Sequence, residues 1–256
     1  MDLTMSSIED HIQNWQPGLS IDCVIMGYAN HELHVLLLKW KNSDRWSLPG
    51  GFIEKEEDLD DAALRILSER TGVTLPTLHQ FHTFGGRQRR DPDDVLEVLS
   101  SLELKNPVVE NWLMQRFVSV GYLSLINMNT SHPKADFLSD RCEWILLRDV
   151  PELIFDHNEM IEKALEFLRI RLRYLPVGRS LLPQKFTMKD LQRLYETILN
   201  KSLDRANFQK SFLKLNVLVR HEKQMLGGAH KAPFLYSFDK VRYDEYMKRG
   251  LGFTLS

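Results

Sequence analysis

The stretch from Gly50 to Val73, GGFIEKEEDLDDAALRILSERTGV, carries carboxylates and arginines at a spacing that could serve phosphate chemistry. Positions 66, 69 and 70 are spaced i, i+3 and i+4, so on a helix they share one face. That face carries Ile66, Glu69 and Arg70. Magnesium prefers hard oxygen ligands, and protein carboxylates with phosphate oxygens and waters complete its octahedron. One carboxylate beside an apolar residue and a cation therefore predicts a poor metal site.

Each unusual residue on this face allows two interpretations. Ile66 continues an apolar spacing, which predicts a place in the core. Arg70 could pair with Glu69 or Glu57 as a surface ion pair, or it could neutralise a ligand phosphate directly, without a metal. Acidic neighbours leave weak metal binding open; they are Glu54, Glu56, Glu57, Asp58, Asp60 and Asp61.

The spacing of the whole stretch resembles the Nudix box, G-x5-E-x7-R-E-U-x-E-E-x-G-U. The matching residues are Gly51, Glu57, Arg65, Leu67, Glu69, Gly72 and Val73. The resemblance implies a Nudix domain, in which box carboxylates hold magnesium against a diphosphate. Because Ile66 and Arg70 depart from the box, we expect Glu57, Arg65 and Glu69 to be vestigial. We therefore expect no catalytic residue and no cofactor, with Glu69 as a weak metal candidate and magnesium only if the protein hydrolyses.

A glycine-flexed, arginine-rich loop, TFGGRQRRDPDD, follows a predicted strand. Such a loop suits an anionic or polyhydroxyl ligand, although a solvated turn is the plain alternative. Beside the box, it resembles the FG...RDP loop of Nudix-related transcriptional regulators, which join a ligand-sensing Nudix domain to a carboxy-terminal winged helix. That resemblance implies ADP-ribose or L-arabinose as the ligand. The candidate ligand-binding residues are Arg70, Phe84, Arg87, Arg89 and Asp91.

The carboxy-terminal part of the chain is basic, whereas the rest is acidic. Residues 1–182 contain 19 Lys+Arg against 28 Asp+Glu, and residues 183–250 contain 14 against 7. A small basic domain indicates an acidic partner, most often nucleic acid. Its pattern predicts a helix capped by Thr187, a second helix near 204–215 and a basic hairpin, which is typical of a winged helix-turn-helix. The candidate DNA-binding residues are Arg205, Asn207, Lys210, Lys214, Arg220, His221, Lys223 and Lys231.

A full winged helix has three helices, so the helix ending near Tyr174 or a turn around Ser202 must supply the third. We expect an amino-terminal extension at 1–18, a Nudix-like sensor at 19–175, a linker at 176–186 and a winged helix at 187–250. The fold class is α/β: an α+β mixed sheet covered by helices, followed by the winged helix-turn-helix. A helical insertion near 93–115 serves packing or dimer formation, or forms a lid over a ligand pocket.

The composition indicates a globular protein with a sizeable core. Cys23 and Cys142 lack metal-site spacing, so we expect buried free thiols. Neither a membrane span nor a signal peptide is evident, which predicts the cytoplasm.

The leading hypothesis is a ligand-responsive transcriptional regulator, homodimeric on a palindromic operator. The alternative is a Nudix hydrolase that cleaves ADP-ribose or a related nucleoside diphosphate derivative with magnesium.

Overall fold

The computed structural model describes residues 11–73, 77–104, 106–224 and 232–249. The chain divides into two units. Unit 1 comprises the residues up to Gly27 together with His34–Ala164, and unit 2 comprises Tyr28–Leu33 together with the residues from Leu165 onward. The division between Ala164 and Leu165 falls inside a helix, whereas the sequence pattern predicts a linker at 176–186.

The sheet of the first unit is built from seven strands. Their order is β3-β2-β1-β6-β5, with β4 also paired to β1 and β7 to β2. The β1–β6 pair is parallel and the β1–β4, β2–β3, β2–β7 and β5–β6 pairs are antiparallel, so the predicted mixed sheet is confirmed. The strands are β1 Trp15–Ala29, β2 Glu32–Trp40, β3 Trp46–Ser47, β4 Gly50–Glu54, β5 Leu78–Phe84, β6 Val118–Ile126 and β7 Ser139–Leu146.

The central strand β1 is buried along most of its length, because its apolar run is covered on both faces. Helices accompany the sheet along the described part of the chain: α1 Leu59–Thr71, α2 Pro92–Ser101, α3 Pro107–Leu113 and α4 His157–Arg171. Helices α2 and α3 form the predicted helical insertion. Each begins with a proline after an Asp or Asn cap whose side chain accepts backbone N–H bonds, which fixes where the two helices start.

Helix α1 carries the Nudix-box residues and packs its apolar face on the sheet. Ala62, Ala63, Ile66 and Leu67 belong to a buried core that also contains residues of β1 and β6. The helix ends at Gly72, whose φ of 68° is the left-handed conformation that glycine adopts at little cost. This ending sets the length of the helix face that positions 66, 69 and 70 share.

Unit 2 contains a three-stranded sheet in the order β8-β10-β9 and three further helices. Thr187 and Asp190 form a capping box at the start of the first helix, as the predicted N-cap requires. The buried core is formed by Leu191, Leu194, Tyr195, Ile198, Phe208 and Phe212. The elements are β8 Phe186–Thr187, α5 Met188–Leu199, α6 Arg205–Lys214, β9 Leu218–Lys223, β10 Phe234–Phe238 and α7 Lys240–Arg249.

Two further helical segments of unit 2 accompany α5 and α6, and either can serve as the third helix of the winged helix. The last turns of α4 belong to unit 2, where Arg169 Nε donates to the carbonyl of Ile198 at 2.8 Å. Helix α7 follows the hairpin and packs Tyr243 on Phe238, with ring centroids 5.1 Å apart. The sequence pattern did not indicate α7. Residues around Ser202, the other predicted source, are not helical.

Both cysteines carry free thiols, as predicted, although Cys142 is only partly buried. Within the described ranges no helix has the length and apolar character needed to cross a membrane.

Candidate functional site

Arg65 ties the loop of the Nudix box to its helix. Its Nε and Nη2 atoms donate to the two carboxylate oxygens of Glu57 at 2.8 and 2.7 Å, and Nη2 also donates to the carbonyl of Phe52 at 2.9 Å. The hydrogen bonds from Arg65 hold the pKa of the Glu57 carboxyl below its ordinary value. Glu69 contacts Arg65 at 3.2 Å while its side chain stays half exposed. Glu57, Arg65 and Glu69 therefore form a structural ion-pair network.

Ile66 occupies the core position that one of its two interpretations predicts. Its side chain is 2% exposed and packs among residues of the sheet. It also faces Gly51 of the box, where an added Cβ would lie 3.0 Å from Ile66 Cγ1. The helix position that carries a carboxylate in the Nudix box thus makes an apolar contact here.

Arg70 pairs with Asp136, so the expected pairing with Glu69 or Glu57 is wrong. The reason is burial: both side chains are about nine-tenths covered, and the guanidinium lies 5.5 Å from the ring centroid of Trp40. Burial lowers the pKa of Arg70, and the charge of Asp136 partly offsets that effect. Arg70 Nε, Asp136 Oδ1 and Trp40 Nε1 are buried without a hydrogen-bond partner.

The residues on this helix face do not fit a magnesium ion. Ile66 offers no ligand, Arg70 places a cation at the site, and Glu57 is engaged by Arg65. In the part of the chain that the structure describes, no three His, Cys, Asp or Glu residues lie together as a metal group. Glu69 remains the one weak candidate among the box residues of α1, and a single carboxylate completes little of an octahedral shell.

A cavity of about 600 Å³ opens beside this face, entirely within unit 1. One side is aromatic: Phe52 lies 4.8 Å from Trp15 and 4.4 Å from Trp112 between ring centroids, and all three residues line the cavity. Among the described residues, the lining also carries four arginines and four carboxylates: Arg65, Arg70, Arg89 and Arg90, with Asp22, Glu54, Glu69 and Asp136. The volume and the mixed lining are typical of a small-molecule site.

Arg89 organises the polar floor of the cavity. Its Nε and Nη2 atoms donate to Asp156 at 2.9 and 2.8 Å, and Nη2 lies 3.5 Å from Asp22. Asp22 also accepts from Ser119 Oγ at 2.6 Å. Burial alone would raise the pKa of Asp22, but His157, Arg89 and Ser119 outweigh it and hold that pKa well below its ordinary value.

His157 completes this network from the start of α4. Its Nδ1 accepts the Leu48 backbone N–H at 3.1 Å, so a neutral ring carries its proton on Nε2, which lies 3.5 Å from Asp22 Oδ1. Sequence reasoning missed Asp22, Asp136 and His157, because each lies far along the chain from the box. The available sequence signal was Asp22 itself, a charged residue beside the apolar run of β1.

The remaining loop residues predicted to bind ligand are placed differently. Phe84 is buried, and Arg87 is exposed; both line a second cleft with Gly85 and Gly86. Asp91 caps α2 by accepting the Asp93 backbone N–H at 2.9 Å. Of the predicted ligand-binding residues, the structure therefore brings Arg70 and Arg89 into the cavity beside α1, and Arg89 lines the second cleft as well. Arg90, which belongs to the same predicted arginine-rich loop but is not among the candidate ligand-binding residues, also lines the cavity beside α1.

The helical insertion forms part of the cavity wall. Val95, Leu99 and Val109 of α2 and α3 build a small apolar cluster of their own and also line the cavity. Trp112 of α3 contributes to its aromatic side. The insertion thus packs, as the plain interpretation requires, and it also covers a ligand-sized space, as the lid interpretation requires.

In unit 2, helix α6 exposes the residues predicted to read DNA. Phe208 and Phe212 are buried, while Arg205, Asn207, Lys210 and Lys214 are exposed. The cap residue Asp204 accepts the Asn207 backbone N–H at 2.8 Å and leaves that side chain free to point outward. The helix therefore presents cationic and amide groups together, which is the combination that contacts phosphates and base edges.

The hairpin strands supply further exposed cations. Arg220 and Lys223 of β9 lie over the ring of Phe234, at 4.7 and 5.4 Å from its centroid. His221 is partly buried and hydrogen-bonded to Ser237 Oγ at 2.8 Å, so it serves the hairpin itself. Lys231, the remaining predicted contact, lies outside the described residues.

A mixed sheet with a Nudix-type loop and helix, joined in one chain to a winged helix, defines the class of Nudix-related regulators. The chain belongs to the Nudix family: the NUDIX domain model matches residues 17–164, and the model of the NrtR DNA-binding winged helix domain matches residues 178–238.

Similar proteins match along most of the chain. The ADPR responsive transcriptional repressor NtrR of Acinetobacter baylyi is 29% identical over 235 residues, covering 89% of this chain and 84% of that protein. The crystal structure of Shewanella oneidensis NrtR is 27% identical with a TM-score of 0.69, covering 88% and 96% of the two chains. Its complex with a 27mer DNA is 26% identical with a TM-score of 0.68, covering 88% and 95%.

Proposed function

We propose that this protein is a transcriptional repressor whose first unit binds ADP-ribose or a closely related nucleotide and thereby controls DNA binding by the second. The observation that carries the proposal is the cavity beside α1, which lacks the carboxylate face of the Nudix box and is lined by an aromatic cluster and by arginines. We place the protein in the cytoplasm, as a homodimer on a palindromic operator.

The lining matches the chemistry of ADP-ribose. A planar base suits the aromatic side formed by Trp15, Phe52 and Trp112, because aromatic rings stack favourably. A diphosphate suits the arginines of the lining, because guanidinium groups bind phosphate oxygens without a metal. The Acinetobacter relative is named as ADPR responsive, which supports the same ligand over L-arabinose.

The exposed face of α6 suits a duplex. Its basic and amide side chains allow the helix to approach the major groove, while the wing cations approach the flanking phosphates. The charge division of the chain supports this arrangement, because the acidic residues 1–182 repel phosphates and the basic residues 183–250 attract them. The structure of Shewanella oneidensis NrtR with a 27mer DNA supports the same use of the domain.

The test is binding of the purified protein to duplexes from its own promoter region and to random DNA, across salt concentrations and with or without ADP-ribose. We expect a preference for one promoter duplex and a change of its affinity when ADP-ribose is added. By linkage, the duplex must change the ADP-ribose affinity by the same factor. A monomer without preference for any promoter duplex, in the presence or absence of ADP-ribose, would overturn the proposal.

A further inference from the structure

Arg90 differs from the other arginines that line the cavity. Arg65, Arg70 and Arg89 each pair with a carboxylate of the chain. Arg90 makes no ion pair or hydrogen bond with any described residue. The nearby charges of Asp22 and Asp156 act on it, but Arg89, Ser119 and His157 already occupy those carboxylates.

Two aromatic rings hold the Arg90 guanidinium in place. Its Cζ atom lies 4.9 Å from the centroid of Phe117 and 4.6 Å from that of Phe155. Phe117 is buried, and Phe155 is anchored by its backbone N–H, which donates to Asp94 of α2 at 2.9 Å. These contacts hold the charge beside the two rings, yet they satisfy none of its five N–H donors.

Within the described ranges, Arg90 is therefore a positioned cation without a paired carboxylate of its own. Burial lowers the pKa of Arg90 to about 10, which reflects the cost of keeping this charge in the protein without a paired carboxylate. Even so, the group stays protonated at neutral pH. An anionic ligand that enters the cavity would offset that cost, whereas a neutral ligand would leave it unchanged.

We propose that Arg90 receives the phosphate groups of the ligand and makes the cavity selective for phosphate-bearing over neutral ligands. The inference rests on the proposed ligand-binding function and names the residue that sets its substrate class. A planar guanidinium can donate two parallel N–H bonds to a phosphate, which a hydroxyl of a neutral sugar cannot accept with the same strength. L-arabinose would therefore be the poorer ligand.

The experiment is calorimetric titration of the full chain with ADP-ribose, inorganic pyrophosphate, adenosine and L-arabinose. We expect Arg90→Gln to weaken ADP-ribose and pyrophosphate about tenfold or more and to leave adenosine within about twofold of the wild-type affinity. Arg90→Lys keeps the charge without the planar guanidinium, so its affinity for ADP-ribose and pyrophosphate should lie between those of the wild type and Arg90→Gln. Arg141→Gln is the same change at an exposed position of β7, and it should leave the affinities for all four compounds unchanged.

The adenosine titration separates a binding role from a structural one, because a misfolded cavity would lose every ligand. Equal loss of adenosine and ADP-ribose in Arg90→Gln would overturn the inference. So would unchanged binding of both anions, tighter binding of L-arabinose than of ADP-ribose, or failure of the wild-type protein to bind either anion. If Arg90→Gln weakens pyrophosphate but no ligand alters DNA binding, the inference stands and the proposed regulatory function falls.

Discussion

Ile66 fills the space in front of Gly51 so closely that a Cβ atom on the glycine would lie 3.0 Å from Cγ1 of the isoleucine. The backbone of the box loop and the apolar face of α1 are therefore in direct contact. In a hydrolytic box the same helix position would offer a carboxylate to solvent and metal. Here the same position stabilises the fold. An isoleucine at position 66 both removes a metal ligand and adds an apolar contact to the core.

Restoring a carboxylate at this position should damage the fold. We expect Ile66→Glu to lower the free energy of unfolding by about 3 kcal/mol, because it buries an unpaired ionisable group in an apolar core. Leu64→Glu on the same helix is the control, since Leu64 is 36% exposed and should cost less than about 1 kcal/mol. Urea unfolding measures both, and equal effects would contradict the packing role of Ile66.

The wild-type protein should not hydrolyse ADP-ribose at ordinary enzyme rates. The face that carries Ile66 and Arg70 cannot complete a magnesium shell, so we expect turnover far below about 1 per second with magnesium present. Phosphate release coupled to a phosphatase provides the measurement. Faster turnover that disappears in Glu69→Gln would return the hydrolase alternative to first place.

The buried charge of Asp22 should make stability depend on pH in the acid range. The folded pKa of Asp22 lies well below its ordinary value of 3.8, so its contribution is complete above that value and is lost as the pH falls towards the folded pKa. We expect Asp22→Asn to cost about 3 kcal/mol at pH 7, because Arg89 loses a buried partner. The difference between wild type and variant should shrink at pH 3.

Urea midpoints of both proteins at pH 7 and pH 3 check this expectation. Asp44→Asn serves as the control, because Asp44 is exposed and pairs only with Lys39 at the surface. A wild-type to Asp22→Asn difference that stays constant down to pH 3 would show that Asp22 does not titrate as its network implies.

The fold could be predicted from the sequence because its signals are local. The box spacing and the Thr187 cap depend on neighbouring residues, whereas Asp91, which the sequence pattern assigned to ligand binding, caps α2 instead. The site could be predicted only in part, because its contacts join distant segments: Arg70 meets Asp136, and Arg89 meets Asp156. Nothing local distinguishes Arg90 from Arg87, since only the fold decides which of them faces the rings of Phe117 and Phe155.

The residues of unit 2 predicted to contact DNA should divide into two functional groups. Replacing Lys214, Arg220 or Lys223 by Ala should weaken binding to every duplex alike and reduce the salt dependence, as loss of a phosphate contact does. Replacing Arg205, Asn207 or Lys210 near the start of α6 should instead relax sequence preference, at about 1–3 kcal/mol per contacted base. Fluorescence anisotropy with the preferred promoter duplex and a random duplex, at several salt concentrations, separates the two patterns.

The regulator should be a dimer in solution. One winged helix contacts too few base pairs for strong selectivity, whereas a two-fold pair can bind both halves of a palindrome. Light scattering coupled to size exclusion should give twice the 30.0 kDa chain mass. A half-site duplex should bind far more weakly than the full palindrome. A monomeric mass that persists on DNA would contradict this expectation.

The Arg90 guanidinium in the cavity lining has a consequence for what the proposed sensor can report to the cell. In a hydrolytic box a divalent ion from solution supplies the positive charge beside the diphosphate. Occupancy of the site therefore depends on two concentrations, that of the nucleotide and that of the divalent ion. A guanidinium is covalently part of the chain and is present in every copy at every ion concentration. A sensor built in this way responds to its metabolite alone and stays silent when only the magnesium level of the cell drifts.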